Sequence, residues 1–171
     1  AAGLLARQVL IEIEGGHGKW KNLSINPGLG FLVGIDIGTT SVDVALADCA
    51  CQLIRHMSAA SDVNQGPEHV LGQALSMLKA ILEEEGVGQE CLLGIGVGIP
   101  GPVKYPSGEV IGGQFTPGWE GMKIQEILSE RFPQAVIQVD NDANLMAIGS
   151  HQVGLAQRID DFIFVKIGTG I

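Results

Sequence analysis

At 171 residues the chain has room for one domain with a sizeable core, and hydrophobic residues make up 46% of it against 17% charged. Ten Lys and Arg against 19 Asp and Glu give a net charge of −9, which argues against this piece itself being a nucleic-acid-binding surface. Cys49, Cys51 and Cys91 are an odd set without framework spacing, so reduced thiols in a cytoplasm fit best. Cys49 and Cys51 straddle one residue, but no histidine or further cysteine stands at ligand spacing, and buried or turn thiols are the plainer reading. No run of ~18 apolar residues offers a membrane span, and no cleavable signal opens the chain. It begins without methionine and stops within Gly168, Thr169, Gly170, Ile171, as expected of a fragment.

Residues 1–28 are short and mixed. Gly15, Gly16, His17 and Gly18 form a loop beside Lys19, Trp20 and Lys21, and Leu23, Ser24 and Ile25 alternate like a strand before Asn26, Pro27 and Gly28 break it. Such a tip suits the wing of a winged-helix module, and it equally suits a solvated hairpin.

The stretch FLVGIDIGTTSVD, residues 31–43, organises the rest of the chain. Phe31, Leu32, Val33 and Ile35 read as a buried strand, and Val42, Val44 and Leu46 alternate with Asp43 and Ala45 as a second. The turn between them holds Gly38, Thr39 and Thr40, whose backbone N–H groups suit phosphate oxygens. Asp36 at the strand end would hold Mg²⁺ through water rather than touch phosphate. An ordinary hairpin whose Asp36 and Thr39 satisfy turn backbone is the alternative.

A third strand is expected at residues 52–57. Pro67 and Glu68 then open a helix carrying Val70, Leu71, Ala74, Leu75, Leu78, Ile81 and Leu82 at helical spacing. Its last turn crowds Glu83, Glu84 and Glu85 against the macrodipole, which marks a solvated end. Leu92, Leu93, Ile95 and Val97 form a buried strand feeding the loop at residues 98–102, where two prolines forbid helix and ladder alike. After Pro117, Gly118 and Trp119, a helix is expected over residues 122–132 and a strand over 135–139, ending in Asp140, Asn141, Asp142. A helix through Leu145, Met146 and Ile148 comes next, and Phe162, Ile163, Phe164 and Val165 read as a last strand.

Three hairpin-linked strands and then helices alternating with strands predict an α/β fold, a mixed sheet with helices on both faces in the ribonuclease-H-like order. In that order the Phe31 strand is internal, between the Val42 and Leu92 strands. Asp36, the loop at 98–102 and Asp142 all fall at strand ends, where sites gather in such sheets.

DIGTT at 36–40, GVGIPGPV at 96–103, PGWEG at 117–121, VDNDAN at 139–144 and IGTG at 167–170, collinear and well spaced, resemble the ROK family. That family comprises bacterial sugar kinases and sugar-responsive repressors with a two-lobed actin-like fold, and the resemblance covers about residues 29–171. It implies an N-terminal lobe whose partner lobe, with its cysteine-rich zinc motif, lies past Ile171. It places Asp36, Gly38, Thr39 and Thr40 on a first phosphate loop for ATP, and Gly168, Thr169 and Gly170 on a second. Asn141 and Asp142 fall on sugar-binding positions with Gly101 and Phe115, and Asp142 on that of the catalytic base. A base must lie within hydrogen-bond reach of the sugar hydroxyl. Either Asn141 or Asp142 also suits the N-cap of the next helix.

Some residues depart from the kinase pattern. Thr39 and Ser41 stand where kinases commonly carry a second glycine and a lysine, which narrows the approach to phosphate and removes a charge. Phe115 stands where many carry a sugar-binding asparagine. These departures, with residues 1–28 as the remnant of a wing and linker, favour a sugar-responsive regulator binding DNA through an upstream winged helix, oligomeric when full length. An ATP-dependent hexose or amino-sugar kinase is the alternative. A non-catalytic ATPase domain of the actin type has no use for Asn141 with Asp142.

Overall fold

The computed structural model describes residues 9–13, 22–112 and 116–167. Strand β1 (Leu10–Ile13) pairs antiparallel with β2 (Asn22–Ile25) in a ribbon separate from the main sheet. Leu23 and Ile25 stay exposed, so burial contributes little to it. The N–H of Asn26 closes the ribbon on the carbonyl of Val9 at 2.9 Å. The expected tip at residues 14–21 lies outside the described residues.

The main sheet begins with β3 (Phe31–Ile37), β4 (Ser41–Asp48) and β5 (Leu53–Ala60), an antiparallel meander, and continues with β6 (Leu92–Ile99). After a short hairpin of β7 (Val103–Lys104) and β8 (Glu109–Val110) comes β9 (Val136–Asn141). The order is β5-β4-β3-β6-β9, with β6 and β9 parallel to β3. The Phe31 strand is therefore internal and flanked by the two strands expected. Parallel neighbours need crossovers. Helix α1 (Pro67–Glu85) supplies the first, α2 (Ile124–Arg131) belongs to the second, and α3 (Asp142–Val153) continues directly from β9.

Period-two alternation gives the sheet two unlike faces. On one, Val33, Ile35 and Ile37 pair with Leu46, Val44 and Val42, and Ile95 and Val97 continue the rows into Ile137 and Val139; all are buried. Helix α1 covers this face with Val70, Ala74, Leu78 and Ile81, and Ile124 and Leu128 of α2 join the same core. Pro67 presets the first turn of α1, and Gly86 ends it at φ 65°, its N–H reaching the carbonyls of Glu83 and Leu82. The expected solvated glutamates at that end have a partner: Arg55 of β5 lies 2.8 Å from Glu85 and 3.5 Å from Glu84. Trp119, fully buried, donates its indole N–H to the Val63 carbonyl at 3.0 Å and ties the PGW turn to the end of the meander.

The other face carries Gly34, Asp36, Asp43, Ala45, His56, Gly96 and Gly98, and α3 packs on its β6 and β9 side. The last expected strand, residues 162–165, is corrected here. It has no strand partner among the described residues, and Ile163 is 91% exposed. Phe162 instead stacks on His151 near the end of α3, ring centroids 5.7 Å apart, and Lys166 reaches Asp142 at its start. Nine helical residues and four extended ones both span about 13 Å, so this segment runs extended back along α3. Its apolar, β-branched composition is that of a strand; a strand also needs a ladder partner, and here a helix takes that place.

Candidate functional site

The strand ends converge where β3, β6 and β9 finish side by side. Asp36, Gly98 and Asp140 share one row across the three strands. Gly98 leaves room there, because a Cβ on it would stand 3.2 Å from Asp36 Oδ1 and 3.4 Å from the Cα of Asp142. The missing side chain lets the first carboxylate approach the start of α3. Beside them an open groove of about 390 Å³ is lined by Gly34, Ile35, Asp36, Asp43, Ala45, His56, Gly96, Gly98, Asp142, Leu145 and Met146.

Asn141 and Asp142 each have definite partners at this end. Asn141 is the N-cap of α3, its Oδ1 accepting from Ala143 N–H at 3.0 Å and Asn144 N–H at 3.3 Å. Its amide donates to the Gly101 carbonyl at 2.9 Å, which fastens the loop at residues 98–102 to the helix. Of the two residues considered for the cap, Asn141 provides it, and both ends of its amide are thereby engaged. Asp142 is buried; its Oδ1 accepts from Ala143 N–H at 2.8 Å and its Oδ2 from the Lys166 ammonium. Burial pushes the Asp36 carboxyl above its ordinary value of 3.8; the positive charge of Lys166 opposes that, and Asp142 and Asp43 add to it.

The turn after β3 differs in one respect from the sequence expectation. The N–H of Gly38 is not open, because it donates to the Ser41 carbonyl at 2.8 Å and closes the turn as a hairpin. A Cβ on Gly38 would lie 3.3 Å from that same oxygen. The carbonyls of Thr39 and Thr40 accept from Val63 and Ser61, so the turn is anchored to the end of the meander. Thus Asp36, Gly101, Asn141 and Asp142 come together, with Gly38, Thr39 and Thr40 on the turn after Asp36. Phe115, Gly168, Thr169 and Gly170 lie outside the described residues.

Three residues escaped the sequence reading. Lys166 is the principal one, and its signal is a lone charge closing an apolar run just ahead of a glycine loop. His56 lies 3.0 Å from Asp43 along the groove, a pair set by neighbouring strands of the meander. Thr116, 1% exposed, stands beside Gly101 with its hydroxyl unpartnered among the described residues. For Mg²⁺, the described residues bring together no group of three or more His, Cys, Asp or Glu. Asp36 is the one expected contact, through water, and the nearby cation is the lysine.

A meander extended by two helix-linked parallel strands, with acidic and amide groups at their carboxyl ends, is the actin-like lobe of the ribonuclease-H-like class. The chain belongs to the ROK family, whose sequence pattern it matches over residues 32–171. It is 25% identical over 167 residues to a xylose repressor of Caldicellulosiruptor bescii, covering 93% of this chain and 41% of that one. A glucokinase of Halalkalibacterium halodurans is 26% identical over 139 residues, covering 81% and 42%. Two solved structures share the fold. One is a ROK family transcriptional regulator described as a homologue of the E. coli MLC protein, with TM-score 0.68, 13% identity and coverage of 89% and 39%. The other is a ROK glucokinase from Streptomyces griseus in complex with glucose and AMPPNP, with TM-score 0.60, 21% identity and coverage of 75% and 38%. The chain spans about 40% of the length of these relatives. Among the described residues no helix is long and apolar enough to cross a membrane.

Proposed function

We propose that this chain is the first lobe of a sugar-responsive ROK regulator, in which a monosaccharide bound in the cleft controls DNA binding by an upstream winged helix. The observation that carries this reading is the reach of the match to the xylose repressor. At 93% of the chain it has to extend ahead of residue 32, where the family match starts, into the region of the β1–β2 ribbon. The glucokinase match, at 81%, has no such need. Residues 1–28 then serve as the end of a wing and its linker, and residues 29–171 as the lobe, facing a second lobe that carries any structural zinc. The protein works in the cytoplasm and as a homo-oligomer when full length.

In this reading Asp142 accepts a hydrogen bond from a sugar hydroxyl at the head of α3, where helix N–H groups favour an anion. Gly101, held by Asn141, shapes the sugar side together with Phe115. The turn with Gly38, Thr39 and Thr40 faces the phosphate side with Gly168, Thr169 and Gly170, and its closed hairpin supports a weaker hold on ATP. The alternative, an ATP- and Mg²⁺-dependent hexose kinase with Asp142 as base and Asp36 holding the metal through water, is supported by the glucokinase relative.

The experiment is fluorescence anisotropy of the full-length protein on DNA from its own promoter region, with and without a panel of pentoses, hexoses and amino sugars. One sugar should release the DNA. Lys19→Ala with Lys21→Ala should weaken binding and flatten its salt dependence. Sugar-dependent ADP formation that Asp142→Asn abolishes, without any DNA binding, would move the assignment to the kinase.

A further inference from the structure

We propose that Lys166 is a positioning residue for Asp142: its ammonium holds the carboxylate by Oδ2 and supplies the positive charge that Asp142 and Asp36 share, so the site needs no resident divalent ion. Asp142 has a side chain only 9% exposed, and a carboxylate so buried requires partners. Both of its oxygens have one. Oδ1 takes the N–H of Ala143, and Oδ2 takes Lys166 Nζ at 2.5 Å.

The neighbourhood explains why a cation belongs there. Asp36 approaches the head of α3 across the bare Cα of Gly98, and the charges facing it are Lys166, Asp142 and Asp43. Asp43 has His56 beside it at 3.0 Å, and of the three charges that act on Asp36 the ammonium of Lys166 is the positive one. Without the ammonium, two carboxylates would face each other across a glycine. A divalent ion could fill that role, but on Asp142 it would meet the positive charge of the Lys166 ammonium already on Oδ2. A divalent ion resident without a bound phosphate would rest on these carboxylates and water alone, since no set of three acidic, histidine or cysteine ligands converges among the described residues. The chain delivers the lysine by its path: residues 162–166 run back along α3 from His151 to Asp142, so the segment's fifth residue arrives at the helix's first.

This bears on the proposed sugar site, and rests on that reading. A sugar hydroxyl meets in Asp142 an acceptor already fixed by an ammonium and a backbone N–H, and it bonds through the lone pairs these leave free.

The test is titration of Mn²⁺ alone into the full-length protein, free ion read by electron paramagnetic resonance. Lys166→Met should create a site at least about tenfold tighter than any in the wild type, since two carboxylates then share no cation. Lys166→Arg should behave as wild type, and adding Asp36→Asn to Lys166→Met should erase the gain. Wild-type protein binding Mn²⁺ as tightly as Lys166→Met, or no gain in that variant, overturns the proposal. If Lys166→Met does not fold, Lys166→Gln, which keeps a polar end, carries the same reading. A wild type that binds no sugar at all sinks the sugar reading of the groove and leaves the Mn²⁺ result standing.

Discussion

The two faces of one sheet differ in what they are made of. Strands β3, β4, β6 and β9 put Val, Ile and Leu on the face under α1, and around the groove they put Gly, Asp and Ala on the other. The first face is filled, and the second keeps an open groove beside α3. Because successive residues point to opposite faces, a single strand such as β3 serves both: Ile35 is 3% exposed in the core and its neighbour Asp36 lines the site. Stability and binding are thus separable by substitution one residue apart, and variants on each face probe that separation.

The largest loss of stability is expected on the filled face. Ile95→Ala removes most of a side chain 2% exposed in the middle of β6 and should cost about 2–5 kcal/mol in urea unfolding. Next comes Trp119→Phe, which keeps an aromatic ring but leaves the buried Val63 carbonyl without its 3.0 Å donor; a loss of about 1–3 kcal/mol is expected. A loss on the scale of a surface change would mean that the PGW turn is not anchored by that bond.

Gly98→Ala tests the open face. The new methyl would press on Asp36 Oδ1 and the start of α3, while the φ of Gly98 is one that alanine accepts. Stability should change by no more than about 1 kcal/mol, while sugar affinity of the full-length protein falls about tenfold. A variant that loses stability and keeps its affinity would reverse the assignment of the two faces.

Much of this arrangement is legible in residue order. The meander, the internal Phe31 strand and the α1 stripe arise from periods of two and 3.6, which are local properties. The illegible part depends on partners distant in sequence. Residues 162–165 have the composition of a strand, but their neighbour is α3. Lys166 matters only because that path ends at Asp142. The N–H of Gly38 reads as free for phosphate in the sequence, and only the fold brings the carbonyl of Ser41 to it. Asn141 and Asp142 both suit the cap, and the choice depends on which side chain turns back over the first helical N–H groups.

The smallest effect, and the one that speaks to charge on the open face, is expected from Asp36→Asn. Burial is the largest influence on Asp36 and raises its carboxyl above 3.8, with Lys166 opposing and Asp142 and Asp43 assisting. A carboxyl whose value is raised on folding contributes stability that is fully present below its unfolded value and lost as pH rises through the folded one. At neutral pH the ionised Asp36 therefore weakens the fold relative to an uncharged side chain of the same shape. Asp36→Asn should melt slightly higher than wild type at pH 7, and the two should converge as the pH falls toward 3.8 and below. Thermal melts of both proteins between about pH 3.5 and 7.5 measure the gap. If Asp36→Asn instead melts lower than wild type at pH 7, with that difference closing on acidification, attraction to Lys166 rather than burial dominates at Asp36, and the open face is held together by its charges instead of merely tolerating them.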